Sequence, residues 1–346
     1  MRRDRPSLLS DVARMAGVSL ATASRALSEP ALVHEETRQR VHEAVAKLGY
    51  VPHGAARALA SKRSKTIGAV IPTLDNPIFA SSIQAMQKRL ADENYTLLLG
   101  SHEYNLSTEV RVVAALIERG VDGVVLVGTD HDPAVYGLLH KAALPYELTW
   151  TLDGGSFHHC LGFSNRAAAA GVVKHLLASG HRRFAMISGH TASNDRARER
   201  VLGVRETLEA HGVKLPAKLL VETDFSLHHG REAFARVLDA APGITAIVCG
   251  NDILAVGVLM EAAARGIGVP DDVSVTGFDD IDLAREWTPA LTTVRLPFSH
   301  IGQRAAERML DRIKGTKAAR IEEVEVELIT RASSGLVRED PGKSKR

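Results

Sequence analysis

The stretch LLSDVARMAGVSLATASRALS, residues 8–28, sets two short apolar patterns on either side of one glycine. Leu9, Val12, Ala13 and Ala16 recur at helical spacing. Gly17 follows as a residue that tolerates the left-handed conformation in which helices stop. Ser19 is placed to cap a second helix, LATASRAL, by accepting hydrogen bonds from its free N–H groups. The spacing predicts a helix-turn-helix, whose second helix fits the major groove of B-DNA; an ordinary helical hairpin would show the same pattern. A third helix is predicted over 35–48, with Val41, Val45 and Leu48 as its inner stripe and LGY as its stop. Three such helices can share one small core.

Charge separates this head from the rest of the chain. Residues 1–65 hold 12 Lys/Arg and 6 Asp/Glu, a balance of +6, whereas the other residues hold 31 and 35, a balance of −4. A small basic head on a mildly acidic body points to a polyanion that meets the head alone. The segment VPHGAARALASKRS, residues 51–64, has a proline at position 52, runs through small residues and leads into Lys62, Arg63 and Lys65. A helix this short is marginal alone. It is expected to order only against its twin and against DNA, with Leu59 as an apolar wedge in the minor groove.

At 346 residues, with 45% hydrophobic and 24% charged residues, the chain has material for two or three compact units. No apolar run reaches the length of a membrane span, and the basic start MRRDRPSLLSDV lacks the apolar stretch of a signal peptide. Cys160 and Cys249 match no metal-ligand spacing and read as reduced thiols of a cytoplasmic protein.

From Thr66 onward strand-like runs alternate with helix-like stretches. TIGAVIP, YTLLLGS, GVDGVVLVG, PYELTW, RRFAMISG, LLVETD, TAIVCGND and VSVTGFD read as strands, and 80–93, 107–119, 167–179, 198–210, 230–239 and 253–265 as helices between them. Repeated βα units predict parallel sheets covered on both faces, in two lobes. In such sheets ligands bind beyond the carboxyl ends of the strands. The residues found there are Leu74, Asp75, Asn76 and Phe79, then His102, Trp150, Asn165, Arg196 and Arg200, and finally Asn251, Asp252, Asp279 and Asp280. An arginine, an asparagine and an aspartate around one cleft suit a polyhydroxylated ligand, since each hydroxyl both donates and accepts. Several of these residues could instead cap helices or pair across the lobes.

SDVARMAGVSLATASRAL, LGYVPHGAARALAS, TIGAVIPTLDNPIFA, VDGVVLVG, GHRRFAMISG, CGNDILAVGVL, GVPDDVSVTGFDD and TPALTTVRLP occur in this order across nearly the whole chain. Together they resemble the LacI (lactose repressor) family of transcription regulators. The resemblance implies a small all-α helix-turn-helix domain over 1–50, a hinge helix and linker over 51–64, and an α/β two-lobed domain of periplasmic-binding-protein type over 65–335. The lobes would take about 65–164 with 294–322, and about 165–290 with 323–335, leaving a polar tail over 336–346. It makes Leu20, Ala21 and Arg25 base readers, with Ser19, Thr22 and Ser24 at phosphates or local caps, and Leu59 the wedge. Arg200, Asn251 and Asp279 fall on ligand positions. His34 stands where the family usually has a serine-like cap, so a weaker cap is expected there.

Trp150 departs further, standing where members that bind neutral sugars or purines often carry an aspartate. An indole there, with Arg196, Arg200 and His102 nearby, favours an anionic ligand. RPSLLSDVA, IPTLDNPIFA and GFSN also resemble the gluconate-utilisation branch, which makes a sugar acid such as gluconate or a ketogluconate the expected effector. A neutral sugar or another metabolite is the alternative. The implied partners are double-stranded operator DNA, the effector and a second copy of the chain, because the C-terminal SSGLVREDPGKSKR lacks the leucine heptad of the family's tetramers.

Enzyme motifs are missing: the sequence has no HExxH, no phosphate loop, no GxSxG elbow and no complete GxGxxG. FHHC and His228–His229 are poor metal sites, since adjacent strand residues point to opposite faces. No cofactor is expected. A solute-binding protein without DNA function would share the body but not residues 1–62.

Overall fold

The computed structural model describes residues 7–51, 63–155, 157–316 and 319–338. The chain divides into two units, Met1–Thr66 and Ile67–Arg346. Residues 52–62 of the predicted hinge segment, Leu59 among them, lie outside the described residues.

In the first unit, α1 (Leu9–Ala16), α2 (Leu20–Ser28) and α3 (Glu35–Leu48) enclose Val12, Ala16, Ala26, Val41 and Ala44. Gly17 ends α1 with φ 65° and Gly49 ends α3 with φ 56°, both in the left-handed region where a side chain would be strained. The Ser19 hydroxyl accepts from the Thr22 N–H at 3.1 Å and so caps α2. His34 precedes α3 without a side-chain cap hydrogen bond, as its chemistry implied.

The second unit holds two parallel sheets. The first is ordered β11 (Ile321–Glu323), β5 (Cys160–Gly162), β4 (Tyr146–Thr149), β3 (Gly123–Val127), β1 (Thr66–Ile71), β2 (Thr96–Ser101). The second is ordered β7 (Leu220–Glu222), β6 (Phe184–Ser188), β8 (Ala246–Cys249), β9 (Ser274–Thr276). The central strands β3, β6 and β8 are wholly buried, hence their unbroken apolar runs. Along β1 and β3 the pleat divides the first lobe's core. Val70, Val124 and Leu126 pack toward α5 (Leu106–Glu118) and α6 (Pro133–Lys141). Ala69, Ile71, Val125 and Val127 belong to the cluster that also contains α4 (Pro77–Ala91) and α12 (Phe298–Lys314).

In the second lobe α7 (Asn165–Ala178) lies against α8 (Asp195–Ala210), and α9 (Leu227–Ala240) against α10 (Asp252–Ala264). Helix α12 returns to the first lobe and packs on α4, where Gly302 is required because a Cβ there would stand 1.9 Å from the Ser82 carbonyl. Strand β11, late in the chain, completes the first sheet at Cys160–Gly162. Strand β10 (Thr293–Arg295) pairs antiparallel with β12 (Glu327–Ile329). A short helix α11 (Asp282–Glu286) precedes β10. Cys160 and Cys249 are buried and unpaired, and burial pushes the Cys160 thiol up to about 11.

Several helices begin earlier than the apolar pattern alone suggests. Helices α4, α8, α9 and α10 start after Asn76, Asn194, Ser226 and Asn251, whose side chains accept from N–H groups of the first turn.

Candidate functional site

Ala23 and Ala26 turn α2 toward the small core, which leaves Leu20, Ala21, Ser24 and Arg25 on its outer face. Ser19 and Thr22 are occupied locally, their hydroxyls 2.8 Å apart. Arg14 and Arg38 pair with Asp11 and Glu35, whereas Arg25 has no ion-pair partner among the described residues. The outer face thus carries two apolar side chains and one uncommitted guanidinium. Such a set can meet thymine methyls and a guanine edge.

In the second unit the carboxyl ends of both sheets face one cavity. Asn76, Phe79, Tyr104 and Trp150 line it from the first lobe, and Ser188, Asn194, Arg196, Arg200, Phe225, Asn251 and Asp279 from the second. Its volume is about 30 Å³, room for one or two waters, so a six-carbon ligand enters only if the lobes part.

Trp150 follows β4 in the left-handed region at φ 69° and is buried. Its ring meets Phe79 edge-on at 5.4 Å and stacks on Phe298 at 6.0 Å. Asn165 holds this corner from behind: its Nδ2 donates to the Trp150 carbonyl at 3.0 Å, and its Oδ1 accepts from Arg200 Nε at 2.8 Å. Arg200 also donates to the Gly250 carbonyl at 2.6 Å and lies 3.7 Å from the Phe278 ring centre. Burial lowers the Arg200 guanidinium to about 10, against the pull of Asp279.

Polar atoms with no hydrogen-bond partner among the described residues surround the same space: both carboxylate oxygens of Asp279, Nδ2 of Asn251 and Oγ of Ser188. Asn251 spends Oδ1 on the Leu254 N–H at 3.0 Å, so capping and cavity lining use opposite ends of one amide. Burial pushes the Asp279 carboxyl well above the usual range, with Arg200 opposing and Asp252 adding to the rise. Buried groups left unsatisfied are costly, and a ligand with several hydroxyls would satisfy all four atoms.

Of the expected cleft residues, Asn76, Phe79, Trp150, Arg196, Arg200, Asn251 and Asp279 come together around the cavity. Asn165 stands behind it. Leu74 and Asp75 are exposed and do not line it. His102 is buried 3.7 Å from Glu109 and lowered by that burial, again outside the lining. Asp252 lies beneath, accepting from the Thr293 hydroxyl at 2.6 Å and the Ile281 N–H at 2.9 Å. Asp280 pairs with Arg295 and Arg331. Tyr104, Ser188, Asn194 and Phe225 line the cavity and lie outside the set expected from sequence. The carboxyl-end rule reaches all four once the strand ends are followed a few residues further.

A helix-turn-helix joined to a two-lobed body with a polar internal cavity defines a DNA-binding protein that senses a small molecule. Residues 8–53 match the family of bacterial regulatory proteins of lacI type, and residues 173–334 match the periplasmic binding protein-like domain. The HTH-type transcriptional regulator GntR of Pseudomonas aeruginosa is 35% identical over 312 residues, 90% of either chain. The HTH-type transcriptional repressor PurR of Photobacterium profundum is 33% identical, over 94% of this chain and 98% of its own. A lac repressor dimer bound to operator and the anti-inducer ONPF superimposes with a TM-score of 0.86 at 26% identity, over 96% of this chain and all of that one. The chain belongs to the LacI family of bacterial regulatory proteins. It is a DNA-binding transcriptional regulator and not an enzyme. No helix among the described residues is long and apolar enough to cross a membrane.

Proposed function

We propose that this regulator is a repressor that binds a pseudo-palindromic operator as a homodimer and is controlled by a sugar acid of the gluconate or ketogluconate class. The observation that carries the effector assignment is the pair Arg196 and Arg200 beside the unpartnered atoms of Asn251, Ser188 and Asp279 in one cavity. The two guanidiniums suit a carboxylate, the unpartnered atoms suit hydroxyls, and Phe79, Trp150 and Phe225 supply apolar walls for C–H faces. Relatives that are a repressor and an operator-bound dimer support the DNA side of the proposal.

A neutral sugar is the second reading. Arg196 is paired with Asp195 at 2.7 Å, and Arg200 stands 4.0 Å from Asp279, so the cavity also balances its own charge.

The test is fluorescence anisotropy of labelled duplex from upstream of the protein's own gene, against a scrambled duplex, with sugar acids and neutral sugars added in turn. Selective binding that gluconate or a ketogluconate alone changes supports the proposal. Selective binding changed only by a neutral sugar overturns the effector assignment. Equal weak binding across a pool of random duplexes overturns the operator assignment.

A further inference from the structure

Helix α8 opens with arginines at alternate positions, Arg196, Arg198 and Arg200, and the three face Asp195, Asp130 and Asp279. Asp130 belongs to the other lobe, in the loop that follows β3. Around it the two lobes are sewn together. Arg198 forks onto Asp130 with two bonds of 2.6 Å, and its Nη1 also donates to the Thr191 carbonyl at 3.0 Å. Asp195 Oδ2 accepts from both the N–H and the hydroxyl of Thr129, each at 3.1 Å. Arg196 donates to the Val127 carbonyl at 3.1 Å.

The loop is shaped for this approach. Gly128 has φ 85°, and a Cβ on it would stand 1.8 Å from Arg196 Nη1 and 2.3 Å from Asp195 Oδ1. Behind it the buried His131 bonds Glu109 through Nδ1 at 2.8 Å and the Gly128 carbonyl through Nε2 at 3.0 Å, which ties the loop to α5. Thr129, Asp130 and Arg198 do not line the cavity.

We propose that the loop at 128–130 and the first turn of α8 form a clasp that holds the lobes together in the ligand-free molecule. The Asp130–Arg198 link sets the fraction of molecules in the closed form. Asp130 and Arg198 are therefore positioning residues that tune effector affinity without touching the effector, since the closed cavity of about 30 Å³ excludes a six-carbon ligand and affinity scales with the fraction of molecules open enough to hold it. The part of this proposal that concerns affinity rests on the cavity being the effector site; the clasp itself does not.

Both side chains are partly exposed, 41% for Arg198 and 23% for Asp130, so their replacement leaves the core intact. The full-length protein carrying Trp287→Phe leaves Trp150, buried in the cavity wall, as the only tryptophan. In this background Asp130→Ala, Arg198→Ala and the exchange Asp130→Arg with Arg198→Asp are compared without ligand. Acrylamide quenching of Trp150 and hydrogen exchange at the Thr129 amide report opening. Either single variant is expected to raise both, and the exchange to bring them back. Calorimetry with gluconate is expected to show affinity rising about three- to fivefold in the single variants and falling back in the exchange. Single variants with unchanged quenching and exchange, or a double variant no better than the two singles together, would overturn the clasp. If gluconate fails to bind the parent protein, the sugar-acid assignment falls, and the ligand-free measurements alone decide the clasp.

Discussion

The guanidinium of Arg200 lies 4.0 Å from the carboxylate of Asp279, yet neither oxygen of that carboxylate holds a hydrogen bond. Arg200 instead gives its bonds to Asn165 and Gly250. The two members of the pair are therefore unequal. Arg200→Met strands a buried carboxylate and two acceptors, and is expected to cost about 3 kcal/mol in denaturant unfolding. Asp279→Asn removes a charge that burial already disfavours and leaves Arg200 bonded. It is expected to change stability by under about 1 kcal/mol while lowering effector affinity about tenfold or more. Equal destabilisation by the two would contradict this asymmetry.

Asp252 makes stability depend on pH. Burial is the main cause that raises its carboxyl to about 6, against 3.8 for the free group. Between these values the folded protein keeps a proton that the unfolded chain has released. The stabilisation is therefore complete below pH 4 and lost as pH rises through 6. The loss amounts to about 3 kcal/mol. Urea unfolding at pH 4 and at pH 6.5 is expected to show Asp252→Asn losing less stability over that interval than the parent. Parallel curves would exclude Asp252 as the titrating group.

The guanidinium of Arg25 points outward and, unlike those of Arg14 and Arg38, is in no ion pair among the described residues. Arg25→Ala is expected to weaken operator binding by about 1–3 kcal/mol and to relax discrimination at one base pair. Anisotropy against duplexes altered one position at a time checks it. Uniform weakening at every position would make Arg25 a phosphate contact.

Local chemistry makes the head legible. Gly17, Ser19 and Gly49 are stop and cap signals whose meaning needs no distant partner, and the predicted 35–48 helix is the observed α3. The strand-end rule likewise groups Arg196, Arg200, Asn251 and Asp279, which do line one cavity. Pairings between remote segments are not legible. Thr129 with Asp195, Asp130 with Arg198, and Asn165 with both Trp150 and Arg200 join stretches that share no periodicity. The apolar pattern begins late and puts the start of α8 at 198, whereas the Asn194 cap begins the helix at Asp195 and puts Arg196 on its first turn.

Trp150 is the residue whose replacement tests the cavity wall most directly. Its indole lies between the polar cavity and a small apolar space lined by Ile71, Ile83, Met86, Val125 and Val127. It also bridges Phe79 on α4 and Phe298 on α12. Removing it should therefore have two separable effects. Trp150→Ala deletes a large buried side chain and is expected to cost about 3–5 kcal/mol in urea unfolding. It also joins the polar cavity to the apolar space, so binding is expected to shift from gluconate toward a gluconate that keeps its carboxylate and carries a short alkyl ether on one hydroxyl. Trp150→Phe keeps the wall with less volume and is expected to hold most of the stability and the preference for unsubstituted gluconate. Calorimetry with gluconate and its O-ethyl ether on both variants separates the effects. If Trp150→Ala loses stability but ranks the two ligands as the parent does, Trp150 packs the first lobe without bounding the ligand.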